Sequence, residues 1–387
     1  MEQNSEMIKH KFIVFCSDHY NPLGVIRSLG EKGIKPIVIL DTNYGKPVLI
    51  VKSKYPQIIH KVSNKEEGLE LLLKLYGNEL YKPFVYSCSD EICELLDKNF
   101  DNLIDKFYFF HGKKKGAVRE YLNKDKINQL AEKCGCNVLN NEIVKKGQLP
   151  QKLNYPVLTK ALSSTLHAWK DEMHICNNEK ELLEAYQSIR SEKVLVQEFI
   201  KKKNEYCLDG FSFDNGNKVY IPYFSSYLRF SDLSYGAYME LKPFNEKNIY
   251  HQICQILKEV GYTGIFEVEF LVDDEGKKWF LEVNFRNSTW SYAYTYGGYN
   301  MPYLWAEGML NNSITIEHIK PLQSFTAMAE YEDYVMSVEK GNESLNDWIS
   351  DFYHADVHYF YNEHDPAPFS IKKFILKKRI KKLIGRK

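Results

Sequence analysis

One stretch constrains this chain more than any other: Ile265-Phe-Glu-Val-Glu-Phe-Leu-Val-Asp-Asp-Glu-Gly-Lys-Lys-Trp-Phe-Leu-Glu-Val-Asn-Phe-Arg286. Apolar and polar residues alternate with period two on both sides of Asp274-Glu275-Gly276-Lys277, which predicts two strands joined by a tight connection. One face carries Phe266, Val268, Phe270 and Val272, then Trp279, Leu281, Val283 and Phe285, and reads as core. The other carries Glu267, Glu269, Glu282, Asn284 and Arg286. With a four-residue connection, Glu269 falls opposite Glu282 and Glu267 opposite Asn284. Like charges directly opposite destabilise a ladder, so this face calls for a counter-charge. A hard divalent cation supplies it, because Mg²⁺ takes carboxylate and amide oxygens together with substrate phosphates. The alternative at this point is a solvated hairpin face.

The rest of the chain must supply a reason for such a site. At 387 residues it is long enough for two or three domains, and 44% apolar with 26% charged residues is ordinary for a globular protein. No stretch approaches the roughly 20 apolar residues of a membrane span, and Phe12–Cys16 is too short for a signal-peptide core. Eight cysteines are scattered without metal-ligand spacing, which predicts a reduced, cytoplasmic protein. The formal charge is zero, yet residues 371–387 hold nine Lys/Arg and no acid, so the remainder is net acidic by nine.

Strands predicted at Lys11–Cys16, Pro36–Leu40, Pro83–Cys88 and Lys106–Phe110 alternate with helices, implying a parallel α/β layer over about residues 10–115. Asp41 follows the second strand, but no G-x-G-x-x-G follows the first, so a dinucleotide site is not assigned. Asn123–Gly135 reads as a short helix with Gly135 as its stop. Tyr155–Lys160 and Val194–Ile200 read as strands, and 245–260 as a helix stopped by Gly261.

In this order the residues resemble the ATP-grasp superfamily, over about Lys124 to Leu310, and its carboxylate–amine ligase and carbamoyl-phosphate-synthase-like members in particular. Leu103-Ile-Asp-Lys106 and Asn123-Lys-Asp-Lys-Ile127 are similar to D-aspartate ligases. The resemblance implies an α/β and α+β chain: a Rossmann-like parallel layer (1–115), the small (116–193) and large (194–330) halves of an ATP-grasp clamp, and a C-terminal extension (331–387). It implies ATP and Mg²⁺, with Mn²⁺ as a substitute. Lys126 and Lys160 match the two phosphate-contacting lysines. Gln197, Glu198 and Ile200 lie on the hinge strand that meets adenine, and Glu205 matches the ribose acid. Glu269, Glu282 and Asn284 match the metal ligands, and Arg286 the arginine that steadies the transferred phosphoryl group. Two departures stand out. No glycine occurs between Gly147 and Gly210, where a glycine-rich flap is usual; Ser163, Ser164 and Thr165 lie there instead. Arg286-Asn287-Ser288-Thr289 replaces the usual continuation.

The reaction implied is a two-step ligation. A carboxylate attacks the γ-phosphate of ATP to give an acyl phosphate and ADP, and an amine then displaces phosphate to leave an amide. The partners are thus small-molecule carboxylates and amines, with nucleic acid not expected. Arg229 and Ser288 are candidate substrate contacts, beside the loops 17–20 and 88–90; His19 and His167 read as loop residues. Alternatives are an ATP-grasp enzyme joining an amino acid to a cell-surface glycan uronic acid, and a nucleotide-binding protein without catalysis. In the tail, Leu376, Ile380, Leu383 and Ile384 share one helical side among basic neighbours. This pattern suits an anionic membrane surface, such as the inner face of the cell membrane, or an anionic polymer; a solvated terminal helix is the competing reading.

Overall fold

The computed structural model describes residues 7, 9–160, 172–231, 234–316 and 319–384. Its strands fall into three sheets that follow one another along the chain. The first is parallel: β1 (Phe12–Ser17), β2 (Ile37–Asp41), β3 (Ile58–Val62), β4 (Phe84–Ser87) and β5 (Tyr108–Phe109), in the order β3-β2-β1-β4-β5. Parallel strands buried on both faces read as continuous apolar runs, and β1 and β2 do. Their alternate residues serve two different cores. Ile13, Phe15, Ile37 and Ile39 pack on one side with helices Lys65–Tyr76 and Asp90–Lys98. Phe12, Val14, Val38 and Leu40 face the rest of the molecule. The edge strand β3 escapes a reading by apolar run, since four of its five residues are partly or fully exposed.

The second sheet holds β6 (Asn141–Lys145), β7 (Val157–Lys160), β8 (Ile175–Cys176) and β9 (Lys193–Glu198), in the antiparallel order β6-β9-β7-β8. Because β9 lies between β6 and β7, the small sheet runs past the expected 193/194 division and ends with Glu198. The third is built from β10 (Asn204–Phe213), β11 (Lys218–Tyr220), β12 (Tyr223–Ser231), β13 (Ser234–Pro243), β14 (Gly264–Val272), β15 (Lys278–Asn284), β16 (Phe325–Met328) and β17 (Val357–His358). Its order is β15-β14-β10-β12-β13-β16-β17, with β11 beside β10. The extension thus adds β17 to the large sheet, pairing Ala327 with Val357. Helix Lys247–Val260 stops at Gly261 (φ +65°) and helix Lys124–Lys133 is followed by Gly135 (φ +84°), both left-handed conformations that glycine adopts without Cβ strain.

Two contacts lock the first layer onto the large sheet. Trp305 sits edge-on to Phe84, Tyr86 and Phe110. On the other side Arg27, fully buried in helix Tyr20–Glu31, pairs with Asp365 at 3.1 Å and donates to the carbonyls of Tyr359 (2.8 Å) and Phe360 (2.9 Å). The tail helix Ile371–Ile384 is docked through Ile371, Phe374 and Ile375 onto the cluster around Trp348. The apolar side expected to face outward is carried there by Leu376, which is 60% exposed. No helix of the described residues is long and apolar enough to cross a membrane.

Candidate active site

The hairpin forms with Glu267 opposite Asn284 and Glu269 opposite Glu282. Its connection is one residue longer than expected: Asp273 leaves the ladder and accepts the backbone N–H groups of Glu275 and Lys277 and the Trp279 indole. The extra residue is absorbed by a bulge at Leu281, since Phe270 pairs with Phe280 and Leu271 with Trp279. The bulge corrects the expected core face: Phe280 is buried and Trp279 leaves the core, while Leu281 and Glu282 both line a cavity. The acidic face also continues onto a third strand, where Cys207 is opposite Glu269, Asp209 opposite Glu267 and Glu205 opposite Leu271.

This face forms one wall of a cavity of about 360 Å³ between the small and large sheets, which His19 and Tyr20 of the first layer help to close. Lys160 enters from the end of β7 and donates to Gln197 Oε1 at 2.8 Å. Burial and the neighbouring Lys124 pull its pKa down to about 7, against the carboxylates of Glu282, Glu205 and Glu269. Glu198, Phe199 and Ile200 form another edge of the cavity, with Glu198 accepting from the Asn140 side chain at 3.0 Å. Lys202 follows and is hydrogen-bonded to Glu205. Leu139, Leu158, Met173, Leu271 and Leu281 make its apolar lining.

Burial raises the pKa of Glu267 and, more strongly, that of Glu269, where the charges of Glu267, Glu282 and Glu205 add to it. Three acids therefore share a face with too little positive charge. Asn284 donates to Glu267 at 3.1 Å and Glu269 at 2.8 Å, while its carbonyl accepts from Arg286 at 3.2 Å. Turning that amide over would aim its oxygen at the acids, an arrangement only a cation makes favourable. As placed, Glu269 and Glu282 offer hard oxygen donors of the kind Mg²⁺ takes, and Asn284 would add a third only with its amide turned over. Arg286 is held by Asp90 of the first layer at 2.9 Å; burial alone would lower its pKa, but Asp90, Glu267 and Glu269 raise it.

The first layer supplies the remaining wall. His19 caps helix Tyr20–Glu31, its Nδ1 accepting the Asn21 N–H at 3.1 Å, so the proton of the neutral ring sits on Nε2. Burial, followed by the nearby Arg286, depresses its pKa to about 4, against Asp18. Asn21 also bonds Asn287, joining the first loop of the chain to the exit of the hairpin. Tyr20, Tyr227, Thr289 and Trp290 close this end of the cavity.

Several expected residues lie elsewhere. Lys126 is exposed on the outer side of its helix, and Lys124, at the first helical position, lines the cavity instead, 3.8 Å from Glu282. Arg229 is taken by Asp333 (2.8 Å) and Asp351 (2.6 Å) of the extension, and does not line the cavity. Ser288 is fully buried, its hydroxyl accepting the Trp290 N–H at 3.0 Å. Ser163, Ser164, Thr165 and His167 lie outside the described residues. Tyr20 and Asp90 belong to the loops 17–20 and 88–90 that the sequence singled out, whereas Lys202, one of three consecutive lysines, had no signal to set it apart.

Residues 121–301 match the family model described as the carbamoyl-phosphate synthase L chain, ATP binding domain. No curated sequence matches the chain. In fold it is similar to an L-amino acid ligase from Bacillus licheniformis (TM-score 0.63, 14% identity, 82% of this chain and 79% of that one). It is also similar to N5-carboxyaminoimidazole synthetase from Staphylococcus aureus (0.62, 16%, 87% and 86%). Biotin carboxylase from Campylobacter jejuni aligns comparably (0.64, 18%, 82% and 74%). The likeness to the ATP-grasp superfamily thus extends from the motifs to the architecture, a parallel layer followed by a two-part clamp.

Proposed function

We propose, from this ATP-grasp architecture, that the chain is an ATP-dependent carboxylate–amine ligase. It would activate a carboxylate as an acyl phosphate and capture it with an amine, releasing ADP and phosphate. The observation that carries the reading is the convergence of Lys124, Lys160, Glu205, Glu269, Glu282 and Arg286 on one cavity, from the short helix, the small sheet and the large sheet. Phosphoryl transfer needs positioning and charge neutralisation rather than a protein nucleophile, and that cavity offers both.

In this reading the apolar lining from Leu139 to Leu281 takes the purine, the hinge around Ile200 meets its edge, and Glu205 takes the ribose hydroxyls. Lys124 and Lys160 hold phosphate oxygens. Glu269, Glu282 and, with its amide turned over, Asn284 would hold Mg²⁺, which would supply neutralisation of the phosphate charge. Arg286 presents its fork to the reacting oxygens, with Asp90 fixing the guanidinium plane. The neutral His19 ring offers an Nε2–H to a substrate oxygen beside Arg286. Tyr20 and Trp290 form the acceptor end, where an amine with an apolar body fits.

The test is Mg²⁺-dependent ADP release across a panel of amino acids and sugar acids, run beside Glu282→Gln. Release with a carboxylate–amine pair, lost in the variant, is expected; silence with every pair, or full activity in the variant, overturns the reading. Separately, the exposed Leu376 among the tail lysines supports contact of residues 371–387 with an anionic surface.

A further inference from the structure

We propose that the acidic sheet face also contains a second, softer cation site, formed by Glu205, Cys207 and Glu269, that takes a thiophilic divalent ion such as Zn²⁺. The Cys207 Sγ and one carboxylate oxygen from each acid lie within 4.8 Å of one another. Strand register explains the grouping. Cys207 stands opposite Glu269 across β10 and β14, and Glu205 is two residues back on β10, so all three project from one face.

Cys207 has no part in the nucleotide reading, since a thiol is a poor ligand for a hard cation. Its surroundings nevertheless point to a ligand. Ser225 lies directly opposite it on β12, is 1% exposed, and its hydroxyl has no hydrogen-bond partner among the described residues. A buried hydroxyl left unsatisfied is destabilising. Tyr227, two residues further along β12, brings its hydroxyl to 3.8 Å from the sulfur. One sulfur, two carboxylate oxygens and an adjacent buried hydroxyl make the mixed donor set that borderline-soft Zn²⁺ accepts. Bonds of about 2.3 Å to sulfur and 2.0–2.2 Å to oxygen imply ligand separations of roughly 3.3–3.8 Å in a tetrahedron. The cluster would therefore tighten by about an ångström around the ion. Binding is a ligand exchange: the thiol gives up its proton to solvent, and Glu205 turns an oxygen from Lys202 to the cation.

One consequence rests on the nucleotide reading. Glu205 and Glu269 serve ribose and Mg²⁺ there, so an ion in the soft site competes with Mg·ATP. The binding itself is tested without nucleotide, by titrating the reduced full-length protein with Co²⁺ in excess Mg²⁺ and following thiolate-to-metal charge-transfer absorption. A band saturating at one equivalent in wild type, and lost in Cys207→Ser, is expected. No band in wild type overturns the site whether or not the variant folds, as does a band of undiminished strength in the variant. Mg·ATP is then added, expected to weaken Co²⁺ binding at least tenfold. If the protein binds a fluorescent ATP analogue yet nucleotide leaves the band untouched, the shared ligands are refuted and the proposal with them. If no nucleotide binds while the Cys207-dependent band persists, the ligase reading fails and the cation site stands.

Discussion

Lys160 offers the most quantitative handle on this protein. Its pKa falls from 10.5 to about 7 because burial at the end of β7, and then Lys124, disfavour the ammonium more than Glu282, Glu205 and Glu269 favour it. That shift corresponds to roughly 5 kcal/mol of preference for the neutral form over a free lysine. The folded value lies below the unfolded one, so the unfolded chain holds the extra proton between them. Stability from this group therefore rises with pH from about 7 towards 10.5. A bound phosphate reverses the preference, since it needs the ammonium. Binding of nucleotide above pH 7 must then draw a proton onto Lys160, and the dissociation constant should climb as the neutral fraction grows, about 25-fold between pH 7.5 and 9. Calorimetry with ADP in two buffers of different ionisation enthalpy should show about 0.9 proton taken up at pH 8. Divalent metal is left out, because it would displace protons from Glu267 and Glu269, whose pKa values burial raises. Lys160→Met should bind more weakly, with no uptake and no pH dependence. A flat dissociation constant from pH 7.5 to 9 in wild type, without proton uptake, would refute the reasoning.

The two lysines of the short helix should separate cleanly: Lys124→Ala should weaken nucleotide binding by about 10- to 100-fold, a charge-assisted bond being worth roughly 1.5–3 kcal/mol, whereas Lys126→Ala should leave it unchanged. Arg27→Met strands Asp365, whose side chain is 1% exposed, and should cost about 3–5 kcal/mol in a urea melt; replacing Asp365 by Asn in the same chain should recover part of that. Deleting residues 371–387 removes Phe374 from Trp348 and Tyr334, 5.8 and 5.1 Å away between ring centres, and should destabilise by about 3 kcal/mol. Deleting only 380–387 should leave the melt unchanged while reducing sedimentation with anionic liposomes; unchanged sedimentation removes the case for surface contact.

Much of this protein is legible without coordinates, because period-two alternation and helix stops are local properties. The opposition of Glu269 to Glu282 and of Glu267 to Asn284 followed from counting outward from the turn. The bulge at Leu281 did not, since one extra residue near a turn leaves the alternation on either side intact while reversing which face Trp279 and Phe280 occupy. Edge strand β3 was missed for a related reason: with little to bury, it has no run of apolar residues to show.

The sequence by itself determined that an acid-lined hairpin would form, that lysines at a strand end and on a short helix would accompany it, and that a parallel α/β layer would precede both. Only the tertiary structure decided which lysine points inward, that Arg229 is spent on Asp333 and Asp351, and that Asp90 holds Arg286. It also decided that Cys207 and Ser225 meet beside Glu269. The reason is physical. Pleat and helical period assign a residue to a face within its own element, but burial, ion pairing and pKa depend on charges brought together from strands tens to hundreds of residues apart.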